Sequence, residues 1–257
     1  MNEKTIQIGS LPKGPLNKIT DVPGVRVGHA TIDTETHKTG VTVIVPPGEN
    51  PFTEKLVGAS FVLNGFGKTQ GLVQVDELGS IETPIALTNT LNVGLVHDAL
   101  VEYMISICSR DGVRLTSVNP IVCECNDASL NDIRHRAIGQ KEVLEAIASA
   151  GAEFALGDVG AGKGMTCHDL KGGIGSSSRV FQIGEDRFTI GVLVLTNHGS
   201  LTDLTIGGEN IGMDIERQIR EDTPDEGSCI LIIATDLPVT SRQLGRIIRR
   251  CSVGLAR

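Results

Sequence analysis

A glycine and a serine, in Glu226-Gly227-Ser228-Cys229, lead straight into the apolar segment ILIIATD, residues 230–236. The pair has a specific chemical use. Glycine lets the backbone take strained conformations and leaves its carbonyl open, so the hydroxyl that follows can attack it in an N-to-O acyl shift. Hydrolysis of the ester would release Ser228 with a free α-amine. That amine has a reference pKa of about 7.7–8.0 and can act as general base for its own hydroxyl. The same dipeptide in front of a strand is also an ordinary turn, and the residues alone leave both readings open.

Two further side chains have the right types for such a reaction. Asn197, in the turn Leu195-Thr196-Asn197-His198-Gly199 after an apolar run, offers an amide donor to a developing oxyanion; its other reading is a turn residue tolerating a left-handed backbone. Lys171 sits beside the hydroxyl-rich stretch Ser176-Ser177-Ser178-Arg179, as a site cation or as a solvated surface group. Seven glycines crowd residues 157–175, through either tight turns between packed layers or a backbone that meets a substrate closely. Gly157 to Lys163 follows the phosphate-binding loop pattern until position 164, where glycine replaces the Ser or Thr needed for magnesium. No serine lies in a G-x-S-x-G elbow, although six histidines leave a Ser-His-Asp triad open by count.

The elements that must position these groups read as mixed α/β. Val25 to Val27, Val41 to Val45 and Phe61 to Leu63 are strand candidates separated by Pro23-Gly24, Pro46-Pro47-Gly48 and Asn64-Gly65. Apolar residues at helical spacing predict a helix over Asn92 to Ser109, a second over Gln140 to Ala150, and a last one over Thr240 to Arg250 with Thr240 as N-cap. Phe181 to Ile183, Phe188 to Leu195 and Cys229 to Ala234 are further strands, the last two apolar enough to suggest cover on both faces. With 31 glycines, no tryptophan and 3% aromatics, the core must be filled by aliphatic side chains and closely packed backbones.

Composition narrows the function classes. A formal charge of −8 with scattered lysines and arginines does not form the basic footprint of a nucleic-acid binder. No run reaches the length of a membrane span and the N-terminus has no signal-peptide core, so a cytoplasmic location is expected. Six sparse cysteines are expected to stay reduced. Cys123 and Cys125 form a C-x-C without a second pair at zinc spacing, so neither a metal nor another cofactor is expected.

Nine segments, taken in order, resemble the family of L-aminopeptidase/D-alanine esterases, β-peptidyl aminopeptidases and nylon-oligomer hydrolases. They are Ile19-TDVPGVRVGHATI, Gly40-VTVI, Thr83-PIALTNTLNVG, Glu124-CNDASLNDI, Val159-GAGKGM, Lys171-GGIGSSSR, Gly191-VLVLTNHG, Ala234-TDLP and the final Gly254-LAR. The resemblance implies a single-domain, four-layer αββα sandwich and a precursor that cuts itself into residues 1–227 and 228–257. It implies an N-terminal-nucleophile aminopeptidase or amidase acting on short peptides, amides or esters, and a homo-oligomer, often a tetramer. By position, Ser228 matches the nucleophile, Asn197 the oxyanion donor and Lys171 the lysine near the scissile bond; Asn126, Gly173 and Gly175 are the candidate pocket residues. Asn126 stands where some members carry the tyrosine of a Glu-Thr-Tyr-Asp motif. Family chains also run on past the GLAR segment into further strands, whereas this sequence stops at Arg257, which would leave one strand and one helix after the cut. The alternative expectations are a truncated, inactive binding or structural member, and an acyltransferase like the self-processing ornithine acetyltransferases, whose nucleophile is a threonine.

Overall fold

A computed structural model of the chain describes residues 9–216 and 227–256. Two of the three β-branched runs near the start are strands, the first of them longer than its spacing suggested. β1 (Arg26–Asp33) and β2 (Lys38–Val45) form an antiparallel hairpin from Arg26 opposite Val45 to Asp33 opposite Lys38. A small ribbon of β3 (Leu56–Val57) and β4 (Ser80–Ile81), with α1 (Leu72–Leu78) between its strands, leads to β5 (Ile85–Asn89). β5 lies antiparallel to β2 and parallel to β6 (Ile121–Cys125), closing a four-stranded sheet in the order β1-β2-β5-β6.

Parallel neighbours need a crossover, and α2 (Val93–Arg110) supplies it. The stretch Thr90–Arg110 is long and apolar enough by composition to cross a membrane. In this fold its apolar stripe is used internally: Val96, Leu100 and Met104 are fully buried, and the first two join Val143 and Ala146 of α3 (Gln140–Ala148) against Val41, Val43, Ala86 and Val122 of the sheet. Period-2 alternation in the strands and period-3.6 spacing in the helices thus meet on one face.

The other face meets a second sheet. After the short ribbon of β7 (Thr166–Cys167) and β8 (Leu170–Lys171), β9 (Gly173–Ile183) and β10 (Asp186–Asn197) form a long hairpin. A further ribbon, β11 (Thr205–Ile206) with β12 (Glu209–Asn210), and α4 (Gly212–Glu216) follow. β13 (Ser228–Thr235) then adds antiparallel to β10, giving the order β13-β10-β9. The central core lies between the sheets: Val27, Ile44, Leu87 and Cys125 from the first meet Ile174, Leu193 and Leu195 from the second. Outside the second sheet, Arg246 and Ile247 of α5 (Ser241–Ile248) lie over Ile190, Val192 and Ile233, and α6 (Cys251–Leu255) follows. Thr240 caps α5 through its hydroxyl, which accepts from the Gln243 N–H at 3.4 Å. The layers run helix, sheet, sheet, helix, as the resemblance implied.

Three expectations need correction. Phe61 to Leu63 is not a strand; its side chains are exposed on an unpaired stretch, where β-propensity has no ladder to join. Neither apolar run is fully buried on both faces: β10 is buried only on alternate residues from Gly191 to Asn197, and every residue of β13, which among the described residues is the outer strand of its sheet, is half-buried. The helices expected over Gln140 to Ala150 and Thr240 to Arg250 end at Ala148 and Ile248, each two residues early. All six cysteines are free.

Candidate functional site

The register of one strand pair assembles the site. β10 and β13 run antiparallel with Asn197 directly opposite Ser228, so the turn asparagine and the serine meet across two adjacent backbones. Asn197 is buried and its amide is fully oriented. Its Oδ1 accepts from the Thr166 N–H at 3.1 Å, and its Nδ2 donates to the Asn126 carbonyl at 2.8 Å and reaches Ser228 Oγ at 3.4 Å. One N–H of the amide is therefore spent on fixing the side chain and the other faces the serine oxygen. A donor held in this way requires no reorganisation when negative charge develops beside it.

Cys125, at the end of β6, also neighbours Ser228. Its Sγ approaches the Leu195 carbonyl at 3.9 Å, and burial drives its thiol well above the ordinary range even with Ser228 as a hydrogen-bond partner. Cys123 lies two residues earlier on the same inward face, its thiol pushed up to about 12 by burial. The C-x-C motif thus places two neutral thiols in the apolar core, where thiolate ligands would be costly.

Gly227 has a steric reason to be glycine. A Cβ there would stand 2.4 Å from the His198 Cα and 2.8 Å from the Asn197 carbonyl oxygen. Glycine therefore lets the residue before Ser228 run close against the backbone that carries Asn197.

Lys171 is used differently from a free site cation. Its Nζ donates to the carbonyls of Gly162, Met165 and Gly172 at 3.0, 2.9 and 2.9 Å and pairs with Asp158 at 3.1 Å. It staples the glycine-rich segment to the start of β9. Gly173 shows why that segment is glycine-rich: a Cβ on it would lie 2.2 Å from the Gly157 carbonyl oxygen. Gly173 also exchanges hydrogen bonds with the Thr196 hydroxyl, one residue from Asn197, while Gly175 faces Val194. These contacts realise the reading of tight turns between packed layers. In the near phosphate loop Lys163 is paired with Asp33 at 2.6 Å and Asp158 at 2.7 Å.

Asn126 contributes its backbone carbonyl to Asn197 while its side chain caps the Ala128 N–H at 2.9 Å. Its neighbour Asp127 was not singled out from the sequence, yet it anchors this loop. The buried carboxylate accepts from Thr39 at 2.6 Å, Asn131 at 3.0 Å and Asn89 at 3.2 Å. Burial raises its pKa despite these donors, whose hydrogen bonds pull it down. An acidic residue just beyond a buried strand, with an asparagine four positions later, was the available signal. Cys167, His168 and His198 form a second cluster nearby, with candidate donor atoms all within 4.8 Å of one another.

Residues 17–257 match Peptidase family S58. Beta-peptidyl aminopeptidase BapA of Sphingosinicella xenopeptidilytica is 39% identical over 266 residues, a match that takes in 95% of this chain and 66% of the relative; the chain thus spans about two-thirds of that protein's length. Among solved structures, the PH0078 protein from Pyrococcus horikoshii OT3 superposes with a TM-score of 0.90 at 47% identity, covering 98% of this chain and 72% of that one. The L-aminopeptidase D-Ala-esterase/amidase of Ochrobactrum anthropi, described as a prototype for the serine aminopeptidases and a variant of the Ntn hydrolase fold, does so with a TM-score of 0.89 at 34% identity, covering 98% and 71%.

Proposed function

The chain belongs to Peptidase family S58, and from that premise we propose that it is a self-processing serine aminopeptidase or amidase whose substrates are short peptides, aminoacyl amides or esters. The observation that carries this reading is Ser228 Oγ standing 3.4 Å from the oriented Nδ2 of Asn197, at the first residue of a strand and directly after a crowded glycine.

In the first step Ser228 Oγ attacks the Gly227 carbonyl carbon. The C–N bond to Ser228 breaks, the hydroxyl proton ends on the departing nitrogen, and an ester joins Gly227 to Oγ. Water then hydrolyses the ester, giving a Gly227 carboxylate and a free Ser228 amine. With a reference pKa of about 7.7–8.0, that amine is partly neutral at physiological pH and takes the Oγ proton when the serine attacks a substrate. The substrate's oxyanion forms beside Asn197, and loss of one such donor costs about 2.7–4 kcal/mol of transition-state stabilisation. Lys171 serves this chemistry through the segment it staples, which keeps Thr166 and Thr196 in place around Asn197.

An intact-mass spectrum under denaturing conditions tests the reading. Two fragments are expected, the smaller beginning at Ser228, and Ser228→Ala is expected to give one uncut chain without amide hydrolysis. An uncut wild-type chain that hydrolyses no aminoacyl amide would leave a binding or structural protein on this fold. Faster turnover with an amine acceptor than with water would make it an acyltransferase.

A further inference from the structure

We propose that Cys167, His168 and His198 form a binding site for one borderline-soft divalent cation of the zinc type. One thiol and two imidazoles are a donor set that zinc favours over the hard cations, which take oxygen ligands. The three side chains come from two segments, the β7–β8 turn and the end of β10, and their donor atoms all lie within 4.8 Å of one another. Cys167 Sγ and His198 Nδ1 are 3.9 Å apart. Zinc bonds of about 2.0–2.3 Å put neighbouring ligands roughly 3.3–3.7 Å from each other, so closing the site requires side-chain adjustments of about an ångström.

A second observation, independent of the donor types, points the same way. His168 Nδ1 lies 2.9 Å from the Ser200 carbonyl, which can only accept. The proton therefore sits on Nδ1 and the lone pair is on Nε2, the arrangement that prepares a histidine to ligate. The backbone has been bent to hold the ring there. His168 and Asp169 are the two loop residues of the β7–β8 ribbon, with φ of 50° and 57°, where a two-residue turn ordinarily uses Asn-Gly. That conformation persists because the surroundings fix it: the His168 N–H donates to the His198 carbonyl at 2.9 Å and the Leu201 N–H donates to Asp169 Oδ2 at 2.8 Å. Gly199 completes the seat, since a Cβ on it would lie 2.5 Å from the His168 ring. The turn thus fixes one imidazole, with its Nε2 lone pair free to ligate, beside a thiol and a second imidazole.

Binding is coupled to proton release, because Cys167 must give its proton to solvent as the metal–sulfur bond forms. The bound ion joins the residue after Thr166 to the residue after Asn197, the two segments whose hydrogen bond orients the Asn197 amide. The binding reading stands apart from the hydrolase reading; its consequence rests on it. A substrate acyl group takes the place that Gly227 vacates against the His198 backbone, so a bound ion beside that entrance slows turnover, and a chelator restores it.

Cobalt(II) is the probe for the first experiment, carried out on the full chain with cysteines reduced. One equivalent per chain is expected to give a near-ultraviolet thiolate-to-cobalt band that zinc abolishes by displacement. The band is expected to vanish in Cys167→Ser, and affinity to fall at least tenfold in His168→Ala and in His198→Ala. As a check needing no variant, zinc is expected to slow alkylation of Cys167 at least tenfold while leaving Cys251, also half-buried, unchanged. No thiolate band, a band that survives Cys167→Ser, or an alkylation rate of Cys167 indifferent to zinc overturns the proposal. None of these readouts depends on peptide hydrolysis.

Discussion

β2 and β13 are written in nearly the same alphabet, and they live in opposite surroundings. Seven of the eight residues of β2 are buried; none of the eight in β13 is. β2 has a partner on each edge, helices on one face and the second sheet on the other. Among the described residues β13 has one partner, β10, and is the outer strand of its sheet. An apolar run therefore announces a strand without saying where in a sheet it will sit. The division also separates two jobs: the first sheet supplies much of the buried area that holds the molecule together, while the second sets the half-buried Ser228 of β13 opposite the buried, oriented amide of Asn197 on β10.

The sharpest test of that division is a pair of truncations. Leu87→Ala, in the middle of the first sheet, should cost about 2–5 kcal/mol of unfolding free energy. Ile232→Ala in β13 should cost less than half as much, and equal losses in urea titrations would dissolve the contrast. Next in size is a rate effect. Asn197→Ala is expected to lower kcat/KM for an aminoacyl amide by about 10²–10³, whereas Val192→Ala, on the outer face of the same strand, should leave it nearly unchanged; similar losses would mean the sheet, and not the amide, is what matters. Gly173→Ala probes the junction of the layers. With its Cβ 2.2 Å from the Gly157 carbonyl, the variant should lose about 1–3 kcal/mol of stability, read by thermal unfolding.

The smallest effect concerns two carboxylates with opposite shifts. Asp127, which follows β6 of the first sheet, has its pKa raised by burial. The folded state holds its proton more tightly, so its contribution is complete below about pH 3.8 and is lost as pH climbs through the raised value. Asp158, beside the second sheet, is also partly desolvated, but hydrogen bonds from Lys163 and Lys171 outweigh this and lower its pKa. Its contribution is present above about pH 3.8 and is lost as pH falls through the lowered value. Stability-against-pH curves should then flatten on the acid side in Asp158→Asn and above it in Asp127→Asn. The reverse assignment would refute both environments.

Much of this arrangement was legible in the chain, and the exceptions have physical causes. The helix periodicities, the strand cores at Val25 to Val27 and Val41 to Val45 and the Thr240 cap follow from local spacing, and local spacing is what a sequence displays. Ser228 and Asn197 were named by residue type and resemblance, but their opposition across β10 and β13 is a matter of register between segments thirty residues apart. Lys171 read as either a site cation or a solvated surface group; that it is occupied by three carbonyls depends on how loops fold back, which no pattern along the chain records. Phe61 to Leu63 had strand chemistry and found no partner. β5 and β6 were not picked out, because short buried strands carry little alternation. The His168-Asp169 turn escaped notice because it carries no glycine, although both residue types tolerate a left-handed backbone.

The eight registered pairs between β10 and β13, from Ile190 with Thr235 to Asn197 with Ser228, bear on what a cut at Ser228 would do to folding. In an intact chain β13 is tethered, and its addition to the sheet is a concentration-independent event at the high effective molarity a linker provides. Once the tether is severed, the ladder still clasps the two pieces, so the native particle keeps its mass and outline. After denaturation, however, the pieces must find each other by diffusion. Recovery then becomes second-order and dilution defeats it, so that processing would turn a reversible folder into one whose native state, once lost, is regained only in concentrated solution.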